Sequence, residues 1–203
     1  MANKDSSLDE KIIKAAWEEF LSLGYLKASM RSISARAGIT TGALYRRYKG
    51  KKELFYSLIK GMLLDFNQDD SKRVEELYRE AFNKHDSSIF IEAIKLEEKI
   101  YLDLLFKHYD ECYLIMVKAS GSEIYDDIAK AIAYKNKETI EFFSRGGGLR
   151  ISYEALELIL NMQMNMYREI ICRGYSKDKA VEVVRQFEDF MLPSWKHLFE
   201  EMI

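Results

Sequence analysis

The sequence predicts an all-α protein: an N-terminal helix-turn-helix domain of three helices, then a longer helical domain, about nine or ten helices altogether. Three observations lead there. One proline and ten glycines in 203 residues leave the chain free to form long helices. From Lys51 to Ile203 the only regular pattern is helical, with apolar residues recurring three or four positions apart. Finally, Ser29 to Tyr48 reads as two short helices with a tight turn at Gly38. The expected division is residues 1–50 and residues 51–203.

In chain order, Ser7-x-x-Glu10 can close a capping box and open a first helix with the apolar face Ile12, Ile13, Ala16, Phe20 and Leu23, ended by Gly24. Ser29 caps a second helix that buries Met30, Ile33 and Ala37 before Gly38 turns the chain. Thr40 or Thr41 caps the third. At 100° per residue, Leu44 and Tyr48 point inward there, while Gly42, Ala43, Tyr45 and Arg46 face outward. Further helices are expected over 51–66, 71–84, 87–107, 110–119, 122–145, 152–173 and 177–201. The breaks fall at Asn67 to Asp70, His85-Asp86, Ser120-Gly121, Gly146-Gly147-Gly148 and Gly174. The triple glycine has no preceding strand and no following Gly-Lys-Ser/Thr, so it reads as a linker and not as a phosphate loop. Pro193 falls on the polar side of the last helix, where it can bend the helix without removing a packing residue.

Composition narrows the class. Hydrophobic residues make up 48% and charged residues 32%, which fits a globular chain able to bury a core. The net charge of −2 hides an asymmetry: residues 1–53 carry eleven Lys/Arg against six Asp/Glu, and the remainder twenty against twenty-seven. A basic end on an acidic body suggests a polyanion held at one end. The polar first ten residues predict no secretory leader, and no apolar run approaches the roughly 20 residues of a membrane helix. A cytoplasmic protein without membrane contact is expected, associated with the nucleoid when bound to DNA. Cys112 and Cys172 lie in no CxxC or Cys/His cluster, and His85, His108 and His197 lack metal-ligand spacing, so neither metal nor cofactor is expected.

An outward helix face made of a glycine, an alanine and an arginine suits close approach to a DNA groove. Lys51 and Lys52 follow at the start of the fourth helix, where the dipole disfavours cations by a few tenths of a kcal/mol each. A bound phosphate would reverse that penalty.

The spaced run Ile13-x-Ala15-Ala16-x-x-x-Phe20-x-x-x-Gly24-Tyr25, Ser29-x-x-x-Ile33, Ala37-Gly38-Ile39-Thr40-x-Gly42-x-Leu44-Tyr45-x-x-Tyr48 and Lys51-x-Glu53-Leu54 resembles the DNA-binding signature of the TetR family of transcriptional regulators. Lys118 to Tyr125 and Phe190 to Trp195 are similar to stretches of some members. The resemblance implies an all-helical homodimer, usually a repressor, that binds a double-stranded DNA operator and carries a variable C-terminal domain for ligand binding and dimerisation. By position, Arg31 resembles a base-reading arginine, and Thr41, Gly42 and Arg47 fall where other members touch bases. Tyr45 and Lys51 match phosphate contacts, Thr40 is counted with the DNA-binding residues, and Ala43 can pack on backbone or a thymine methyl. Ala28 and Met30 replace hydroxyl residues, which leaves Ser29 for phosphate. Arg46-Arg47 replaces a commoner aromatic or histidine pair, and either arginine could reach a base.

For residues 54–203 the resemblance implies a cavity between helices for a small apolar or amphipathic effector. Phe66, Tyr101, Tyr109, Met116, Met162 and Met166 are candidate walls, and Glu97, His108 and Gln163 candidate polar contacts. The last two helices are so apolar that they read as half of a four-helix dimer interface, with Leu156, Leu160, Tyr167, Phe187, Phe190 and Trp195 as its expected residues. Two rivals stand beside this: a DNA-binding regulator governed by a protein partner or by no effector, and an all-α enzyme using a Glu97/His108 pair for acid–base work. No nucleophile constellation supports the enzyme, so none is expected.

Overall fold

The computed structural model describes residues 6–66, 71–143 and 151–201, and those residues contain no strand. Its helices are α1 (Ser6–Lys27), α2 (Met30–Arg36), α3 (Thr41–Arg47), α4 (Lys51–Phe66), α5 (Ser71–Lys84), α6 (Ser87–Lys107), α7 (Tyr109–Tyr113), a π-helical turn (Leu114–Lys118), α8 (Glu123–Phe142), α9 (Tyr153–Cys172) and α10 (Lys177–Glu200). The fold is all-α with a helix-turn-helix at its N-terminus. It divides into two compact units, one of residues 1–66 with 110–128, the other of residues 67–109 with 129–203. The packing thus adds α4 and the 110–128 segment to the first fifty residues.

The N-terminal unit is built on rings. Phe20, Tyr25 and Phe55 are fully buried. Their centroids lie 5.1 to 5.8 Å apart, two pairs edge-to-face and one stacked. Ile12, Ala16, Ile33, Leu44, Leu54 and Ile59 complete that core, as the helical period requires. Three details differ from the sequence expectation. Ser7 lies inside α1, not before it. Gly24 also does not end α1: with φ 76° and ψ 162° it breaks the helix, which resumes as one turn to Lys27. A Cβ at Gly24 would stand 3.0 Å from the Lys118 carbonyl oxygen. The expected 110–119 helix is split, because Ala119 N–H reaches back five residues to Leu114 O (2.8 Å) and widens the turn into π geometry.

In the C-terminal unit α6 and α10 run antiparallel, tied at one end by Lys177–Asp103 (2.9 Å) and at the other by Ser87 Oγ to Glu200 (2.9 Å). Phe82, Phe90, Phe143 and Phe199 form a ring cluster between α5, α6, α8 and α10, with Phe90 and Phe199 stacked at 4.6 Å. His85 takes φ 52° at the break after α5, and Asp86 caps α6 by accepting from Ser88 N–H (2.8 Å). Pro193 is exposed within α10, on the side away from Met191, Trp195 and Phe199. The breaks expected at 67–70 and at the triple glycine lie outside the described residues.

Gly24 combines a backbone region open only to glycine with a backbone oxygen at its missing Cβ. Gly24→Ala is therefore expected to cost at least about 2 kcal/mol in urea unfolding. Gly38→Ala, with φ 69° but open space around its Cβ, should cost about 1 kcal/mol.

Candidate nucleic-acid interface

Local capping fixes the second and third helices. Ser29 and Ser32 close a capping box: Ser32 N–H donates to Ser29 Oγ (3.1 Å) and Ser29 N–H to Ser32 Oγ (3.3 Å). After α2, Ile39 N–H reaches back to Ser34 O (3.0 Å), closing the turn at Gly38. Thr40, not Thr41, caps α3, accepting from Ala43 N–H (3.2 Å). Thr41 does different work. Buried Ser34 spends its single hydroxyl proton on Arg31 O (2.9 Å), so at 3.0 Å it accepts from Thr41 and links the two helices. On the other side, Arg36 grips Glu19 of α1 through Nε (3.3 Å) and Nη2 (3.2 Å), and Glu19 is only 2% exposed. That buried carboxylate, which the sequence reading did not single out, sets α2 on α1.

The outer face of α3 carries exposed Gly42, Tyr45 and Arg46, with Ala43 half-buried, while Leu44 is buried beneath. Nothing lies within 4 Å of where a Gly42 Cβ would stand, and its φ is not in the left-handed region. The chain's own packing gives no reason for a glycine there. Gly42 is the second residue of α3, and an exposed helical glycine costs up to about 1 kcal/mol relative to alanine.

Of the seven Lys and Arg from residue 29 to 53, four are held by the protein itself. Arg36 is one. Arg47 pairs with Asp9 at 2.8 Å in a largely buried contact. Lys52 pairs with Asp127 at 2.6 Å. The Lys51 ammonium donates to Tyr25 O (2.7 Å), Ala28 O (3.1 Å) and Leu26 O (3.4 Å), and lies 4.3 Å from the Tyr25 ring centre. Arg31, Arg46 and Lys49 are exposed and make no side-chain hydrogen bond or ion pair among the described residues. Lys49 was not singled out from sequence; only its position beside the motif could have marked it. Ser29, expected to hold phosphate, is exposed, but its hydroxyl serves the capping box.

Around Lys51 the network extends to α8. The Tyr25 hydroxyl donates to Glu123 Oε1 (2.6 Å) and Tyr56 to Asp127 Oδ2 (3.2 Å). Burial foremost, then the Glu123 carboxylate, pushes the Tyr25 phenol far up, so it remains a donor. The same hydrogen bond holds the Glu123 carboxyl below its usual range.

The C-terminal unit holds a second candidate site. Two adjoining cavities of about 50 and 250 Å³ share Tyr78, Glu97, Tyr101, Lys135, Thr139 and Phe143 in their walls. Of the nine expected lining residues, Glu97, Tyr101 and Gln163 are in these walls. Phe66 and Met116 belong to the other unit. Met162 is 44% exposed. His108, Tyr109 and Met166 line neither cavity, and Tyr109 stacks on Phe106 at 5.8 Å. Helix α8 supplies walls that sequence reasoning missed, Lys135, Asn136 and Thr139, because its amphipathic face reads as ordinary core. The buried Asn136 amide nitrogen has no partner among the described residues. Glu97 accepts from the Tyr78 hydroxyl (2.8 Å). Burial raises the Glu97 carboxyl, with Tyr78 and Lys135 opposing. Its neighbour Glu98 accepts from Gln163 Nε2 (3.3 Å) and is pushed up to about 9 by burial first and Glu188 second.

The expected dimer residues separate as well. Leu156, Tyr167 and Trp195 are buried inside their own unit and offer no free surface; Leu160 and Phe187 are half-buried, and Phe190 is 74% exposed. The sequence period found the apolar faces of α9 and α10 but not which one the monomer core covers. Leu158 (69%) and Met162, one turn apart, are with Tyr153 the large apolar side chains α9 leaves exposed.

Among known proteins, residues 12–58 match the family described as bacterial regulatory proteins, tetR family. No curated protein sequence matches the chain. Two crystal structures of NalD, the secondary repressor of the MexAB-OprM multidrug efflux pump in Pseudomonas aeruginosa, share the fold at 16% identity, with TM-scores of 0.58 and 0.55. The first covers 97% of this chain and 95% of its own; the second covers 98% and 95%. A transcriptional regulator (TerR/AcrR family) from Aquifex aeolicus VF5 is similar at a TM-score of 0.47 and 20% identity, over 96% of both chains.

The Tyr25–Glu123 bond makes stability pH-dependent. A carboxyl held low in the fold stabilises above its unfolded value, roughly 4.3, and loses that contribution as pH falls through the folded value. Tyr25→Phe keeps the ring and removes the bond. It should cost about 1 kcal/mol near pH 7, discounted for the exposure of Glu123, and the gap to the native chain should close below about pH 4 in urea titrations.

Proposed function

We propose that this chain, which belongs to the tetR family of bacterial regulatory proteins, is a repressor that binds a palindromic operator as a homodimer and leaves it when a small molecule fills the C-terminal cavity. The observation that carries the DNA-binding face is Gly42: an exposed helical glycine with open space at its Cβ, flanked by the unpaired Arg31 and Arg46. A glycine that costs stability and relieves no internal contact is explained by an outside surface approaching closely, and a phosphate-lined groove meets the cations beside it. Arg46, not the Asp9-bound Arg47, is then the base- or phosphate-reaching member of the pair. Lys49 replaces Lys51 as the phosphate contact, and Lys51 supports the domain from within. Thr40 and Thr41 shape the helices, Tyr45 and Ala43 face the backbone, and Ser29 presents the start of α2.

For dimerisation the exposed stripe of Leu158 and Met162 on α9, with Phe190 on α10, provides apolar surface of the kind a partner covers. Two reading helices about 34 Å apart would then meet successive major grooves. The C-terminal cavity supports a small-molecule effector over a protein partner. A ligand that prefers one setting of the dimer shifts the population toward it, and release follows from that difference in affinity. Glu97 lines the cavity and His108 does not.

Binding to DNA from the gene's own upstream region should fall steeply with salt. Arg46→Ala should weaken it about tenfold or more, and Arg31→Ala should relax sequence preference, while Arg47→Ala acts mainly through stability. Gly42→Ala separates function from folding: unfolding free energy should rise by about 0.5–1 kcal/mol while operator affinity falls. A Gly42→Ala protein that binds as tightly as the native one would sink this face as the reading surface. In sedimentation, Leu158→Glu with Phe190→Glu should convert dimer to folded monomer; an unchanged dimer would place the interface elsewhere.

A further inference from the structure

We propose that the effector is an aromatic organic cation, held between the Glu97 carboxylate and the ring faces of Tyr78 and Tyr101. The proposal rests on reading the C-terminal cavity as the effector site and names what that site selects.

Glu97 lies among the helices yet keeps accessible surface, and that surface faces both cavities. Its hydrogen bond comes from a neutral phenol, Tyr78, and it forms no ion pair among the described residues. A carboxylate in such surroundings is poorly compensated, and an entering cation supplies what is missing. The walls next to it are electron-rich rings, the surfaces that attract cations. Lys135 marks the place. Its ammonium sits 5.9 Å from the Tyr101 ring centre and acts on Glu97 through space without a bond to it. The protein's own cation is thus present but loosely engaged, on an exposed side chain that a rotamer change removes. A ligand cation bearing apolar substituents is more weakly hydrated than an ammonium and would displace it.

The rim adds Glu75 and Glu138 against Arg79. With Glu97 and Lys135, three carboxylates face two cations, a balance that disfavours anionic ligands. The adjoining volumes of about 50 and 250 Å³ suit a compact ligand with one aromatic ring.

The test is calorimetric titration of the full chain with three ligands of similar size: benzyltrimethylammonium, benzyl alcohol and benzoate. The cation should bind at least about tenfold tighter than the alcohol, with benzoate weakest. Glu97→Gln keeps an acceptor for Tyr78; it should erase the preference for the cation and leave benzyl alcohol affinity within about twofold, which also reports an intact cavity. Lys135→Met should strengthen cation binding. If benzyl alcohol or benzoate binds as tightly as the cation, or Glu97→Gln leaves cation affinity unchanged, the cation class is wrong while the effector cavity stands. If none of the three binds, the effector reading itself falls.

Discussion

The N-terminal unit depends on one ammonium group. Lys51 begins α4, where a positive charge meets the positive end of a helix dipole, and taken alone the placement is unfavourable. The same ammonium, however, lies at the carbonyl end of α1. Tyr25, Leu26 and Ala28 present backbone oxygens that no further helical turn satisfies, and Lys51 takes all three. One charge therefore closes one helix while opening another, and the Tyr25 ring beneath it adds a cation–π contact. Gly24 makes this possible. Only its glycine-specific backbone turns the Tyr25 ring inward onto Phe20 and Phe55 while leaving the Tyr25 carbonyl facing Lys51.

This junction explains why few cations around α2 and α3 are left unpaired. Arg36, Arg47, Lys51 and Lys52 are committed to holding α1, α2, α3, α4 and the start of α8 in place through Glu19, Asp9, three carbonyls and Asp127. Of the Lys and Arg between residues 29 and 53, Arg31, Arg46 and Lys49 are left without a side-chain partner among the described residues. The hydroxyl relay from Thr41 through Ser34 to Arg31 O joins α3 to the backbone beside Arg31.

Helix positions were legible because apolar periodicity and capping are local: Thr40, Ser29, Asp86 and Gly38 announce themselves within four residues. What a side chain meets across the fold is not local. Arg46 and Arg47 are adjacent and chemically identical, and only Asp9, thirty-eight positions away, distinguishes them. Likewise the apolar residues of α9 look alike in sequence, yet in the structure Leu156 and Tyr167 are buried and Leu158 is exposed. The cavity was least legible. Glu97, Tyr101 and Gln163 interrupt apolar faces and could be picked out for that, but Lys135, Asn136 and Thr139 lie on a helix whose polar stripe looks solvated.

Glu97 and Glu98 show how the C-terminal unit accommodates two carboxylates that are consecutive in sequence. They point about 100° apart on α6. Glu98 turns toward α9, where Gln163 donates to it and where burial and Glu188 keep it protonated near neutral pH. It is tolerated by losing its charge. Burial raises Glu97 too, while the Tyr78 hydroxyl and Lys135 both favour its ionised form. One carboxyl is thus neutralised as a structural group, while the other lies in an aromatic wall beside the cavities. A domain built only to pack would have gained by replacing Glu97 with an apolar residue. Keeping it beside a cavity, with a movable lysine as the nearest cation, is the arrangement expected where the missing counter-charge arrives from outside.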